Sequence, residues 1–99
     1  MPAWEISPDA LADLEGIFNF IATDAPEAAE RMAEELFAAF EQLAAWPRSG
    51  HNRSDLTKRD VRFWPVRPYL VVYRERGNGV QIAAILHGSR DVPSVLDDR

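Results

Sequence analysis

Ten arginines and two histidines carry most of the chemistry that this 99-residue chain could do. Lysine is nearly absent, with Lys58 alone, so cationic recognition rests on guanidinium groups. Their planar fork fits carboxylate and phosphate better than a point charge does. Arg62, Arg67, Arg74 and Arg90 lie in or beside the most strand-like part of the chain and are the candidate contacts to an anionic partner. His51 and His87 are the only side chains of a type that titrates near neutral pH. His87 closes a strand-like run, and a lone histidine there more often caps or packs than reacts. No cysteine is present, so disulfides and thiolate metal sites are excluded, and two histidines give little basis for structural zinc. Neither a metal nor a cofactor is expected.

The charge is unevenly spread. Residues 1–46 hold one cation, Arg31, against ten acids, a net −9; residues 47–99 hold ten cations against six acids, a net +4. Such asymmetry points to one face that meets a polyanion or an acidic partner, or simply to solvated acids on helices beside solvated arginines on a sheet. No apolar run approaches the roughly 18 residues of a membrane span. The first residues, MPAWEISPD, lack the basic and apolar stretches of a secretory leader, which makes a cytoplasmic location the default expectation. Ninety-nine residues suit a single domain spanning 1–99, with enough length for one core.

Those candidate residues need a scaffold, and the pattern supplies one. Residues 69–75 and 80–87 are dense in β-branched and aromatic side chains and flank Gly77-Asn78-Gly79, which reads as a hairpin. Residues 61–64 form a further strand ended by Pro65 and Pro68, which lack the N–H a ladder needs and so belong at an edge or in a turn. Residues 3–7 alternate and predict a short strand paired into the same sheet. Ser7-Pro8-Asp9 then opens a helix with Leu11, Leu14, Phe18 and Ile21 on one stripe. Asp24 and Glu27 predict a capping box for a second helix, after a link of two or three residues from Ile21, and Trp46-Pro47 ends that helix. Residues 48–60 read as a polar loop, and residues 91–99 as a tail with a last helical turn. On the fourth strand alternation puts Val80, Ile82, Ala84 and Leu86 on one face and Gln81, Ala83, Ile85 and His87 on the other. Both faces of the sheet are largely apolar; one is expected under the helices, and the other is expected to be only partly covered and open to a partner. The fold class is therefore α+β, a helical hairpin on a mainly antiparallel four-stranded sheet in the order β-α-α-β-β-β.

This order, with its motifs, resembles the RelE/ParE superfamily of toxins from type II toxin–antitoxin systems. The resemblance covers nearly the whole chain and is carried by Ser7-Pro8 with Asp13-Leu14 and Ile17, by Leu43, Trp46-Pro47 and Gly50, by Val61-Arg62-Phe63, by Tyr69 to Arg74, and by Ile85 to Asp91. It implies a cognate antitoxin as partner in a hetero-oligomer. The family holds two activities. RelE-like members cut mRNA on the ribosome, which requires a base, an acid and cations on the phosphate. For that reading the resemblance offers only a reduced set, Arg62, His87 and Arg90, because Leu70 and Leu96 stand where an arginine and a C-terminal aromatic would be. ParE-like members look closer, through residues 86–91 and the Tyr69–Tyr73-Arg74 strand, and imply poisoning of DNA gyrase by trapping its cleaved-DNA complex, without catalysis by the toxin. An inactive member of the family is the third reading. Under the ParE-like reading Arg62, Arg67, Arg74 and Arg90 are partner contacts.

Overall fold

The computed structural model describes residues 3–89 and 92–97. Its elements run β1 (Trp4–Ile6), α1 (Pro8–Asp24), α2 (Pro26–Ala45), β2 (Arg62–Val66), β3 (Tyr69–Arg76), β4 (Gly79–His87) and α3 (Val92–Asp97). The expected β-α-α-β-β-β order is observed, with the C-terminal turn realised as α3. The sheet order is β1-β4-β3-β2. β1 runs parallel to β4, and the other two pairings are antiparallel.

Two prolines shape the helical hairpin. Ser7 caps α1: its hydroxyl accepts from the Ala10 N–H at 3.1 Å, and Pro8 occupies the first turn, where a missing N–H costs nothing. The expected capping box at the start of α2 is not formed. Asp24 belongs to α1, and Ala25 alone links the helices, capping both with its backbone at φ −148°, ψ 81°. The cause is Pro26, whose ring bars the α conformation from the residue before it, so one extended residue breaks the helix. The link is thus shorter than the two or three residues expected. Pro47 acts in the same way on Trp46 (φ −133°, ψ 72°) and ends α2.

In the sheet, β2 is an edge strand and, unlike the sequence reading, does not end at Pro65 but runs on to Val66, because an edge strand tolerates a residue without a donor. The β3–β4 hairpin closes through Gly77-Asn78, with Gly77 at φ +61°, a backbone that other residues rarely adopt. Ala10, Leu36, Phe40, Leu43 and Ala44 from the helices meet Tyr69, Val71, Tyr73, Val80, Ile82 and Ile85 on one face.

The opposite face departs from the sequence reading in two ways. It is covered: Val61, Phe63, Val72, Ala84 and Leu86 pack with Val92 and Leu96 of α3, and Val72 and Ala84 are fully buried. The apolar floor expected to lie open is therefore the second layer of the core. The alternation along β4 also switches. Val72 pairs with Ala84 and Tyr73 with Ile82, leaving Ala83 as the extra residue of a bulge. Val80, Ile82 and Ile85 consequently face the helices, while Ala84 and Leu86 face α3. Both sides of the run are apolar, so period two left no mark of the slip. Ser7 Oγ donates to Ala83 O at 3.3 Å, and the Ile85 N–H donates to Asp13 Oδ2 at 3.0 Å, so α1 satisfies the backbone groups that the bulge and the end of β1 leave over.

Candidate functional site

The side chains that could do chemistry fall at two ends of β3. At one end Tyr73 is fully buried; its hydroxyl donates to Pro47 O at 2.8 Å and accepts from the Gly50 N–H at 2.7 Å. Arg62, opposite Tyr73 on β2, donates through Nη1 to Gly50 O at 3.0 Å. One strand pair thus holds the Pro47–Gly50 segment on both sides. Burial pushes the Tyr73 phenol above its usual range, against the opposing pull of the Gly50 hydrogen bond. His51 continues the seal: its N–H and C=O pair with Phe63 at 2.9 and 2.8 Å along the outer edge of β2. This corner is internally satisfied and presents little free polar capacity.

The other end is open. Asp13, Gly16, Ile17 and Phe20 of α1 face Tyr69, Ile85, Leu86 and His87 across a groove of about 450 Å³. Phe20 is 78% exposed there, too far round α1 from the Ala10–Leu14–Ile17–Ile21 stripe to reach the core. The His87 ring stands edge-on to Tyr69, with centroids 5.6 Å apart. The Ser89 N–H donates to His87 Nδ1 at 3.1 Å, and Ser89 Oγ lies 2.7 Å from the same nitrogen. A nitrogen that accepts a backbone N–H carries no proton of its own, which leaves Nε2 as the protonated atom of the neutral ring. Asp13 is committed to the Ile85 N–H, and no acid lies in hydrogen bond with the His87 ring among the described residues. Among the described residues no three His, Asp or Glu side chains converge to hold a metal there either.

The candidate arginines do not gather. Arg62 and His87 pair with β3 residues four positions apart, about 13 Å along the strand, and on opposite flanking strands, about 10 Å across. Arg67 sits exposed in the β2–β3 turn near the open end. Arg74 projects at the other end from the face that α3 covers, opposite in sense to Arg62. Arg90 lies outside the described residues. Leu70 and Leu96, the positions where the RelE-like resemblance implies an arginine and an aromatic, both belong to the apolar layer between the sheet and α3, Leu96 from α3 itself. One cation that sequence reasoning passed over joins Arg74: Arg59 lines the same cleft of about 160 Å³, floored by Val61, Val72 and Leu96. Neither guanidinium has an ion pair among the described residues, where the pairs are Arg48–Glu75, Arg53–Asp55 and Arg76–Glu5. Only its place in a polar loop, 15 residues before Arg74, was visible in sequence.

A short parallel β1, a two-helix layer and an antiparallel three-strand meander make an architecture shared with a solved chromosomal ParDE toxin–antitoxin system from P. aeruginosa. The match has a TM-score of 0.72 at 23% identity and covers 88% of this chain and 96% of that one. Residues 4–92 match the family model of the ParE toxin of the type II toxin–antitoxin system parDE, and the chain belongs to that family. Among similar proteins, Toxin ParE3 of Caulobacter vibrioides is 32% identical over 85 residues, covering 85% of this chain and 84% of its own length. Toxin RelE2 of the same organism is 37% identical over 81 residues, with 82% and 89% covered. Putative toxin Y4kP of Sinorhizobium fredii is 31% identical over 87 residues, with 88% of each covered.

Proposed function

We propose that the chain poisons DNA gyrase by binding rather than by catalysis, and that a cognate antitoxin holds it inactive. The observation that carries this reading is the division of β3. Cleavage of RNA needs base, acid and cation around one phosphate, and the two described members of that set, Arg62 and His87, stand at opposite ends, with Arg62 spent on Gly50 O. The family match over residues 4–92 supports the same direction, and the solved ParDE pair supports an antitoxin partner. Two observations favour ribosome-dependent mRNA cleavage as the second reading: Toxin RelE2 is among the relatives, and His87 lines an open groove.

In this reading Arg74, with Arg59, and Arg67 meet acidic side chains of the antitoxin. Charge pairs of that kind steer encounter, while apolar anchors supply most of the affinity. Arg90 joins them as a contact after the last strand. Purified protein added to gyrase with relaxed plasmid is expected to accumulate cleaved DNA and stop supercoiling. Primer extension on translated mRNA is expected to show no new ends. Codon-positioned cuts without an effect on gyrase would replace this reading by the ribonuclease one.

A further inference from the structure

His87 and Ser89 form a pair that neither the gyrase reading nor the antitoxin contacts use. The Ser89 N–H donates to His87 Nδ1, so that nitrogen carries no proton. Across the 2.7 Å contact between Nδ1 and Ser89 Oγ the hydroxyl must therefore be the donor. A serine hydroxyl that donates to an unprotonated imidazole nitrogen is a nucleophile with its general base in place. The base is held from two sides. Its ring stands edge-on to Tyr69, and the Gly88 N–H donates to Pro68 O at 2.9 Å, which ties the segment after β4 to the β2–β3 turn. His87 and Ser89 are both exposed, so a reagent reaches the hydroxyl from solvent.

The groove beside this pair decides which electrophile suits it. His87 lines the space of about 450 Å³ whose other sides include Ile17, Phe20, Tyr69 and Ile85. An apolar channel with a nucleophile at its rim fits a hydrocarbon chain that carries a reactive carbonyl at its head. A phosphoryl donor would need cations or a metal at that point, and the groove is lined instead by apolar side chains and the Asp13 carboxylate. We infer that Ser89 is an acylation site: it takes a medium-chain acyl group from an activated donor of the thioester class, with His87 as general base and the groove holding the chain. Oγ attacks the carbonyl carbon as its proton passes to Nδ1. The C–S bond then breaks, and the leaving thiolate takes that proton. The products are an uncharged ester on Ser89 and a free thiol, with no oxidant or reductant consumed. The inference goes beyond the gyrase reading and does not depend on it.

The test is incubation of the whole protein with p-nitrophenyl octanoate or p-nitrophenyl acetate as the activated donor, with adducts located by peptide mass mapping. Alkaline hydroxylamine then strips esters and leaves amides at Lys58 or the N-terminus. The expected result is one hydroxylamine-sensitive octanoyl group per chain, on Ser89. It should form at least about tenfold faster than the acetyl group, since each methylene that leaves water contributes up to about fourfold. Ser89→Ala is expected to abolish it. His87→Gln keeps a hydrogen-bond acceptor but cannot take up a proton, and is expected to slow transfer about 100-fold. An unchanged urea midpoint shows that this variant keeps the fold. Phe20→Ser, at a largely exposed position, is expected to narrow the octanoyl-to-acetyl ratio to below about threefold. Adducts confined to Lys58 or the N-terminus, or a His87→Gln rate within about twofold of the parent, would overturn the inference. So would octanoyl transfer no faster than acetyl, or a ratio unchanged in Phe20→Ser.

Discussion

Tyr69 and Tyr73 stand four residues apart on one face of β3 and meet opposite fates. Tyr73 is sealed, with donor and acceptor capacity both used on the Pro47–Gly50 segment. Tyr69 borders a groove, beside a histidine that keeps one ring nitrogen unengaged among the described residues. The same residue types occur at both ends: a tyrosine, an arginine, a histidine and a glycine. At the closed end they bond to one another's backbone and hold a loop; at the open end the tyrosine, histidine and glycine line a groove and the arginine stands exposed in a nearby turn. Residue type alone says little about function here, because hydrogen-bonding capacity spent inside the molecule is not available to a ligand.

Substitutions at the two ends should separate them, and the largest effect belongs to a glycine. A Cβ on Gly50 would run into the Tyr73 ring and lie 2.9 Å from Phe63 O. Gly50→Ala is therefore expected to destabilise by about 3 kcal/mol, the upper range for overpacking, read as a lower urea midpoint at unchanged slope. A loss below about 1 kcal/mol would mean that the corner yields easily and is not the rigid end.

Next is Tyr73→Phe, which strands the Gly50 N–H and removes the donor to Pro47 O, for about 2 kcal/mol. Its pH dependence has a definite sign. The folded phenol titrates above the ordinary value near 10, so the unfolded chain loses its proton first and binds fewer protons in that range. Stability from this group is full below about pH 10 and declines as pH rises toward the folded value. The gap between parent and Tyr73→Phe should narrow above about pH 10, and a gap constant to pH 11 would contradict the shift.

At the open end the sign reverses. A methyl on Gly16 meets nothing within 4 Å, so Gly16→Ala should stabilise α1 by about 0.8 kcal/mol through helix propensity. Set against Gly50→Ala, it makes the same chemical change with opposite thermal shifts. Smallest is His87→Gln, expected within about 0.5 kcal/mol of the parent, since the amide oxygen can still accept the Ser89 N–H. Growth arrest should persist with a DNA-damage response and without mRNA cleavage. Loss of arrest together with loss of codon-positioned cuts would turn the comparison round and make the open end catalytic.

Most of the scaffold was legible because it is written locally. The β-branched runs flanking Gly77-Asn78, Pro65 in an edge strand and Ser7-Pro8 at a helix start each act within a few residues. The α1–α2 link was misjudged because Asp24 and Glu27 have the right spacing for a capping box, yet Pro26 acts first by forcing Ala25 out of the helix. The Ala83 bulge was hidden by apolar residues on both sides of β4, and the cover over Val72 and Ala84 comes from six residues of α3 with only three apolar side chains. The candidate arginines were visible as charges but not as directions. Nothing near Arg62 in sequence shows that its partner is a carbonyl 12 residues earlier.

The pairing of β1 with β4 has a consequence for how the molecule comes into being. Trp4 lies beside Val80, 76 residues later, so the first strand made has no partner until the last is made. At synthesis rates of about 5–20 residues per second, that interval is about 4–15 s. Through that wait the nascent chain holds a helical hairpin with a bare apolar face, vulnerable to aggregation and proteolysis. A chain cut short before β4 leaves β1 without its only strand partner in the sheet. Closure of the sheet thus waits on completion of the message.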